Sequence, residues 1–207
     1  MTISLSDTGK RFNREWIFRH FNYQFESGHA YAITGPNGSG KSTLLQAISG
    51  ATLINEGTIT YENNGTIIPE EKIFREVSLC APYLELIEEM TATEFLGFHQ
   101  GFKSYLPGLD INSILQSVEL EKAVHKQIRY YSSGMKQRVK LAQCLLSDTA
   151  IVLLDEPCTN LDEAGINLYH RLVEQYCKDR VVIVSSNDPV EYRFCTSTIL
   201  ITDYKKK

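Results

Sequence analysis

The sequence predicts an α/β fold in which a parallel sheet forms the core, antiparallel strands precede it and a helical segment is inserted into it. Three observations lead to this prediction. Residues 3–25 mix alternating apolar positions with charges, as antiparallel strands lying over a core do. Residues 150–154 form a continuous apolar run, which is typical of a parallel strand buried on both faces. Between these regions, residues 82–146 carry apolar residues at helical spacing, which indicates an inserted helical subdomain.

The remaining elements are predicted from the same spacing rules. Asn63-Asn64-Gly65 is a strong signal for a hairpin turn. Further strands are expected at residues 30–34, 77–80, 181–185 and 198–202. Helices are expected at residues 44–48, 91–99, 111–120, 134–146 and 161–177. We therefore expect one domain over residues 1–207, with a core lobe at 1–81 and 147–207 and a helical subdomain at about 82–146.

Composition and charge narrow the possible functions. The formal charge of −4 gives no electrostatic basis for broad nucleic-acid binding, so no nucleic-acid partner is expected. No apolar run approaches the roughly 18 residues needed to cross a bilayer, so we do not expect the chain to span a membrane by itself. The five cysteines form no C-x-x-C pair, and reduced, packed thiols of this kind suit the cytosol.

The clearest motif is a glycine-rich loop between the predicted strand 30–34 and the predicted helix 44–48. It fits the phosphate-binding pattern G-x-x-x-x-G-K-[ST] with Gly35, Pro36, Asn37, Gly38, Ser39, Gly40, Lys41, Ser42 and Thr43. Such a loop points several backbone N–H groups at one anion, and the helix that follows adds its positive dipole end. Lys41 can reach the β- and γ-phosphates, and the Ser42 hydroxyl can bind Mg²⁺. The alternative, a glycine-rich turn without a ligand, does not account for the strand–loop–helix setting.

Two further stretches could act on a phosphate. Asp155 and Glu156 end the buried run 150–154, which is where parallel sheets bind ligands. Asp155 is placed to hold Mg²⁺, and Glu156 to orient or deprotonate a water in line with the γ-phosphate. A solvated acidic strand end is the alternative. Ser132 and Gly134 lie in a turn that runs into a helix, which makes a second anion site, although a simple helix cap would explain the same residues.

In these motifs the chain resembles the nucleotide-binding subunit of an ATP-binding-cassette (ABC) transporter over essentially its full length. Residues 35–43 match the Walker A motif, residues 131–135 the family signature and residues 151–156 Walker B, and residues 160–162 match the D-loop. The resemblance implies a P-loop NTPase (RecA-like) core that binds ATP and Mg²⁺. Phe12 falls near the family's adenine-stacking aromatic. From the residues alone, either Phe12 or Trp16 could stack on adenine or simply pack on the sheet.

The resemblance also implies partners and a mechanism. Two cassettes, most simply a homodimer, would hold two ATP molecules between them, and the Ser132 hydroxyl and Gly134 N–H would contact the γ-phosphate on the partner copy. Glu156, Lys41 and Asn187 would act in hydrolysis, which would drive transport through a separately encoded integral membrane subunit. The chain would then be cytoplasmic and peripheral on the inner face of the cell membrane. The alternatives are a soluble ABC ATPase that remodels or regulates other complexes, a weakly hydrolysing ATP switch with Asn187 in place of a histidine, or a different phosphate-loop enzyme such as a kinase or GTPase.

Three motifs depart from the family pattern. Ser133 and Met135 replace a glycine and a glutamine of the usual signature LSGGQ. Asn187 stands where the family's switch histidine should follow the strand 181–185, and it can donate a hydrogen bond but cannot become cationic. Residues 81–83 read Ala-Pro-Tyr where a glutamine is expected. We therefore expect slow hydrolysis, and we expect the groove beside residues 82–90 to face the membrane partner.

Overall fold

The computed structural model describes residues 1–205, and its strands divide into two sheets by direction. An antiparallel sheet is formed by β1 (Thr2–Phe12), β2 (Glu15–Glu26), β4 (Glu56–Asn63) and β5 (Thr66–Ile68), in the order β2-β1-β4-β5. A parallel sheet is formed by β3 (Ala30–Thr34), β6 (Val77–Cys80), β7 (Ile151–Asp155), β8 (Val181–Ser185) and β9 (Ser197–Leu200), in the order β6-β7-β8-β3-β9. The predicted α/β fold with an N-terminal antiparallel sheet is thus confirmed.

The helices begin close to where the sequence places them. They are α1 (Lys41–Ile48), α2 (Ala92–Gln100), α3 (Ile111–Ser117), α4 (Ser133–Leu145) and α5 (Glu163–Tyr176). Each of the last four starts after a side-chain cap, because an oxygen of Thr91, Asp110, Ser132 or Asp162 accepts a hydrogen bond from a backbone N–H of the first turn. No helix within residues 1–205 combines the length and the apolar character that a membrane crossing requires.

Two elements differ from the predicted bounds. The last strand ends at Leu200 because residues 201–204 form a short 3₁₀ turn instead of continuing the sheet. The segment 82–90 is irregular, so the helices of the inserted region begin only at α2. The division into a core lobe and a helical subdomain stays a prediction, and the last two residues of the predicted domain lie outside the described residues.

The central parallel strands β7 and β8 are buried on both faces, as their continuous apolar composition predicts. On β7, Ile151 and Leu153 pack towards α1 and the antiparallel sheet, whereas Val152 and Leu154 pack towards the helical segment. This second face belongs to one apolar cluster that extends to Leu141 of α4. The inserted segment therefore shares a continuous core with the sheet.

Arg180, at the start of β8, forms a buried polar link between these parts. Its guanidinium donates to the carbonyl oxygens of Leu145 at 2.6 Å, Ser147 at 2.9 Å and Thr149 at 2.6 Å. It also donates to the hydroxyl oxygens of Thr149, at 2.5 Å, and Ser78, at 3.4 Å. One side chain thus satisfies carbonyl groups at the end of α4 and in the turn that leads to β7.

The strand order brings three loops to one edge of the parallel sheet. β7, β8 and β3 are neighbours, and their carboxyl ends point the same way because all three run parallel. The glycine-rich loop follows β3, the acidic pair ends β7 and Asn187 follows β8. Open parallel sheets bind ligands at this edge.

Candidate functional site

The glycine-rich loop has a backbone that other residues could not adopt. Gly35 has φ 144° and Gly40 has φ 108°, both outside the range that side chains favour. A Cβ at Gly35 would lie 2.7 Å from the Ile201 side chain, and one at Gly40 would lie 2.3 Å from the Ile17 side chain. Both glycines are therefore required, by conformation and by close packing, for the loop to turn between β3 and α1.

Lys41 points back into this loop. Its side chain is only 5% exposed, and its ammonium group donates to the carbonyl oxygens of Gly35 at 2.8 Å and Pro36 at 3.4 Å. These neutral acceptors leave the positive charge uncompensated. A phosphate bound in the loop would supply a charged and therefore stronger partner.

The acidic end of β7 carries an oxygen without a hydrogen-bond partner. Asp155 is 3% exposed, and its Oδ1 is buried without a partner within residues 1–205. Ser185, opposite Asp155 on β8, and Ser39 in the glycine-rich loop each have a hydroxyl oxygen in the same state. Buried polar atoms are normally satisfied, so these oxygens indicate missing ligands or water. The Asp155 carboxylate and the Ser42 hydroxyl of the phosphate loop are oxygen donors of the kind that a hard cation such as Mg²⁺ prefers.

Glu156 lies in a turn, and hydrogen bonds of its backbone N–H and carbonyl groups stabilise that turn. It has φ 44°, its N–H donates to Ser185 O at 2.9 Å, and its carbonyl accepts from the Thr159 hydroxyl at 2.8 Å. A left-handed conformation at a residue other than glycine is strained and is often found at functional sites. Glu156 lines a cavity of about 220 Å³ together with six loop residues and Ile17, the loop residues being Asn37, Gly38, Gly40, Lys41, Ser42 and Thr43. A carboxylate thus faces the phosphate-binding loop.

Asn187 contacts the same loop from the end of β8. Its Oδ1 accepts from the Gly35 N–H at 3.2 Å, and its Nδ2 donates to Asn37 Oδ1 at 3.0 Å. The structure therefore brings together residues that are about 150 positions apart in the chain. Asn187 lies where it could donate to a phosphate held in the loop.

The turn with Ser132 and Gly134 lines a different cavity. Ser132 caps α4, because its hydroxyl accepts from the Met135 N–H at 3.2 Å, and Gly134 packs closely against the carbonyl of Asn160. This cavity of about 390 Å³ also includes Arg138. It shares no lining residue, among those the structure describes, with the cavity at Glu156. One copy of the chain does not bring the two anion sites together.

Comparison with known proteins decides the family. The model of the family described as "ABC transporter" matches residues 18–159, which is more than half of the chain. The chain belongs to the ABC transporter family. The fold, the phosphate loop and the acidic strand end are those of its ATP-binding cassette, so the chain is the ATP-binding subunit of an ABC transporter, and it energises transport.

Individual members of the ABC family resemble the chain over most of its length. The cytochrome c biogenesis ATP-binding export protein CcmA of Brucella abortus is 32% identical and aligns over 85% of this chain and 80% of its own. The thiamine import ATP-binding protein ThiQ of Photorhabdus laumondii is 32% identical over 91% and 83%. Among solved structures, the dimeric bacterial ABC transporter cassette MJ0796 has a TM-score of 0.78 at 25% identity and covers 96% of this chain and 94% of its own.

The adenine side of the ABC site is less defined in the structure. Phe12, at the end of β1, is half exposed with the ammonium of Lys10 4.8 Å from its ring centre, and it is not among the described residues that line the phosphate cavity. Trp16 lies between the guanidinium groups of Arg11 and Arg19. Adenine stacking on Phe12 therefore stays a prediction.

One residue of this ABC cassette was missed by sequence reasoning as a site residue. Tyr83 belongs to the segment 81–83 in which the family's glutamine is expected. Burial raises the pKa of Tyr83, the Gln46 side chain of α1 opposes this shift and the negative charge of Asp155 adds to it. The departure of residues 81–83 from the family motif was the available signal. That departure does not predict the direction in which the Tyr83 side chain points.

Proposed function

We propose that this cassette works as a homodimer in which each ATP is held between the phosphate loop of one copy and the Ser132–Gly134 turn of the other. Within one copy the cavity at Ser132 shares no described lining residue with the cavity at Lys41, which supports an arrangement in which a second copy supplies Ser132 to the nucleotide. Closure around the nucleotide would depend on the γ-phosphate that both copies contact.

The proposed roles follow from the positions of the side chains. Mg²⁺, when bound, neutralises charge on the phosphate oxygens, and Ser42 and Asp155 would hold it. Lys41 would exchange its carbonyl partners for the β- and γ-phosphates. Glu156 would orient the attacking water and accept its proton, and Asn187 would donate to the γ-phosphate.

We further propose that hydrolysis is slow because an asparagine replaces the switch histidine. Asn187→His is expected to raise the steady-state ATPase rate by about three- to tenfold, since an imidazole can carry positive charge where negative charge develops. The measurement is phosphate release by purified protein with its partner, and Asn187→Ala should fall below the wild type because it loses both loop contacts. A wild-type rate equal to or above that of the histidine variant would contradict this proposal.

The proposed docking surface for the membrane subunit is the groove beside residues 82–90. A cavity of about 390 Å³ there is bounded by this segment and by α4. Leu84 and Ile87 are exposed apolar residues next to it. Glu88 pairs with Lys136 at 2.5 Å and Glu89 with Arg129 at 3.4 Å, so part of the predicted acidic face is already neutralised within the chain. The apolar residues are therefore the better candidates for partner contacts.

This surface can be tested by membrane binding. The wild-type chain, which we propose lies on the cytoplasmic face, is expected to sediment with membranes from its source cell. The double variant Leu84→Arg/Ile87→Arg should remain in the supernatant, because a buried charge opposes docking. Phe102→Arg is the matched control, because Phe102 is also exposed but lies outside the groove. A wild-type chain that never sediments would favour the soluble alternative, and equal sedimentation of both variants would exclude this groove. The two named relatives act in export and in import, so the proposal does not extend to a cargo.

A further inference from the structure

A buried carboxylate connects the two loops that follow β7 and β8. Glu191 lies in the short helical turn Pro189–Tyr192 and is only 6% exposed. Its Oε1 accepts a hydrogen bond from the Cys158 N–H at 2.8 Å. The Tyr169 hydroxyl donates to the Glu191 carbonyl at 2.9 Å, which fixes the backbone of the turn.

Glu191 and its partner Cys158 are close in sequence to the proposed catalytic residues. Cys158 comes two positions after Glu156, and Glu191 comes four positions after Asn187. The loop after β7 already contacts the end of β8, because the Glu156 N–H donates to Ser185 O at 2.9 Å. The hydrogen bond from Cys158 to Glu191 adds a second connection, so the Glu191 carboxylate orients one loop against the other.

A carboxylate is a costly group at this position. Burial raises the pKa of Glu191, the Ser186 hydroxyl and the hydrogen bond from the Cys158 N–H oppose the shift, and the negative charges of Asp188 and Glu156 add to it. No basic side chain within residues 1–205 forms an ion pair with it. The hydrogen bonds of Glu191 must offset the cost of burying its carboxylate. The main contribution of Glu191 is therefore the geometry that these bonds impose on the two loops.

We propose that Glu191 is a positioning residue for ATP hydrolysis, holding the loop after Glu156 against the loop that carries Asn187 so that both side chains face one γ-phosphate. This inference rests on the proposed roles of Glu156 and Asn187. A small displacement of a catalytic group lowers kcat more than it weakens ATP binding, because the position of that group matters most in the transition state.

The test separates turnover from binding. Glu191→Ala is expected to lower kcat about tenfold while the KM for ATP changes less than about twofold, since no residue of the phosphate loop is altered. Glu191→Gln should retain at least about half of the wild-type kcat, because its amide oxygen can still accept from the Cys158 N–H. Glu174→Ala, a change of an acid on α5 away from both loops, is the control and should equal the wild type.

A second variant keeps the test decisive if Glu191→Ala does not fold. Tyr169→Phe removes the hydrogen bond that holds the backbone of the Glu191 turn and should lower kcat about threefold, with the double variant no worse than Glu191→Ala alone. The inference is overturned if Glu191→Ala keeps the wild-type kcat, if its KM rises as much as its kcat falls, or if Glu191→Gln is as impaired as Glu191→Ala. A wild-type chain that binds ATP without hydrolysing it would instead refute the proposed function.

Discussion

Glu156→Gln is expected to lower the steady-state ATPase rate by at least about 100-fold while ATP still binds. Glutamine has nearly the same shape but cannot accept a proton from the attacking water. The turn at this position depends on backbone bonds to Ser185 and Thr159, which the substitution leaves in place. Lys41 and the rest of the phosphate loop are also unchanged, so the variant should bind nucleotide and fail only at the chemical step.

The same variant should reveal the composite site. Because the γ-phosphate is retained, Glu156→Gln in ATP and Mg²⁺ should elute from size exclusion as a dimer, whereas in ADP it should elute as a monomer. Glu163→Gln, at the start of α5, is a control that removes an acid outside the phosphate cavity. A Glu156→Gln chain that stays monomeric in ATP, or one that hydrolyses ATP at the wild-type rate, would contradict the proposed mechanism.

Among the substitutions proposed above, Arg180→Met should lower the free energy of unfolding most. Methionine fills similar volume but leaves the carbonyl groups of Leu145, Ser147 and Thr149 buried without donors. Each lost hydrogen bond of this kind costs about 1–3 kcal/mol, so we expect the free energy of unfolding to fall by about 4 kcal/mol. For a chain of this size that corresponds to a melting temperature lower by about 10 °C.

The matched control for this change is Arg171→Met. Arg171 is more than half exposed and pairs with Glu119 at 3.1 Å on the surface. An exposed ion pair contributes less than about 1 kcal/mol to the free energy of unfolding. The melting temperature of Arg171→Met should therefore shift by only a few degrees. Calorimetry or circular dichroism melts of both variants give the comparison. Equal shifts for the two variants would show that the buried network of Arg180 does not stabilise the fold.

The features that could be predicted from the sequence are those that a short run of contiguous residues determines. The glycine-rich loop, the acidic end of β7 and the cap at Ser132 are local patterns, and each lies in the structure between or at the ends of the elements where its pattern places it. Strand burial was equally predictable, because a strand covered on both faces must be apolar throughout.

Contacts between distant segments could not be predicted in the same way. The hydrogen bonds of Asn187 to Gly35 and Asn37, and of Glu191 to Cys158, join residues whose local surroundings do not identify their partners. Nothing in the sequence indicated that Ile17 lines the phosphate cavity, because an isoleucine in a predicted strand is expected to pack in the core. The orientation of Tyr83 likewise depends on how the segment 82–90 packs, which no periodic pattern determines.

The separation of Ser132 from the phosphate loop has a genetic consequence. If each nucleotide spans two copies, a cell that makes both a normal chain and one damaged at Ser132 assembles mixed pairs in which the normal chain's own phosphate loop faces the damaged turn. The intact allele then cannot fully rescue the other. Mutations at this turn would behave as dominant, whereas those that merely unfold the chain would be recessive.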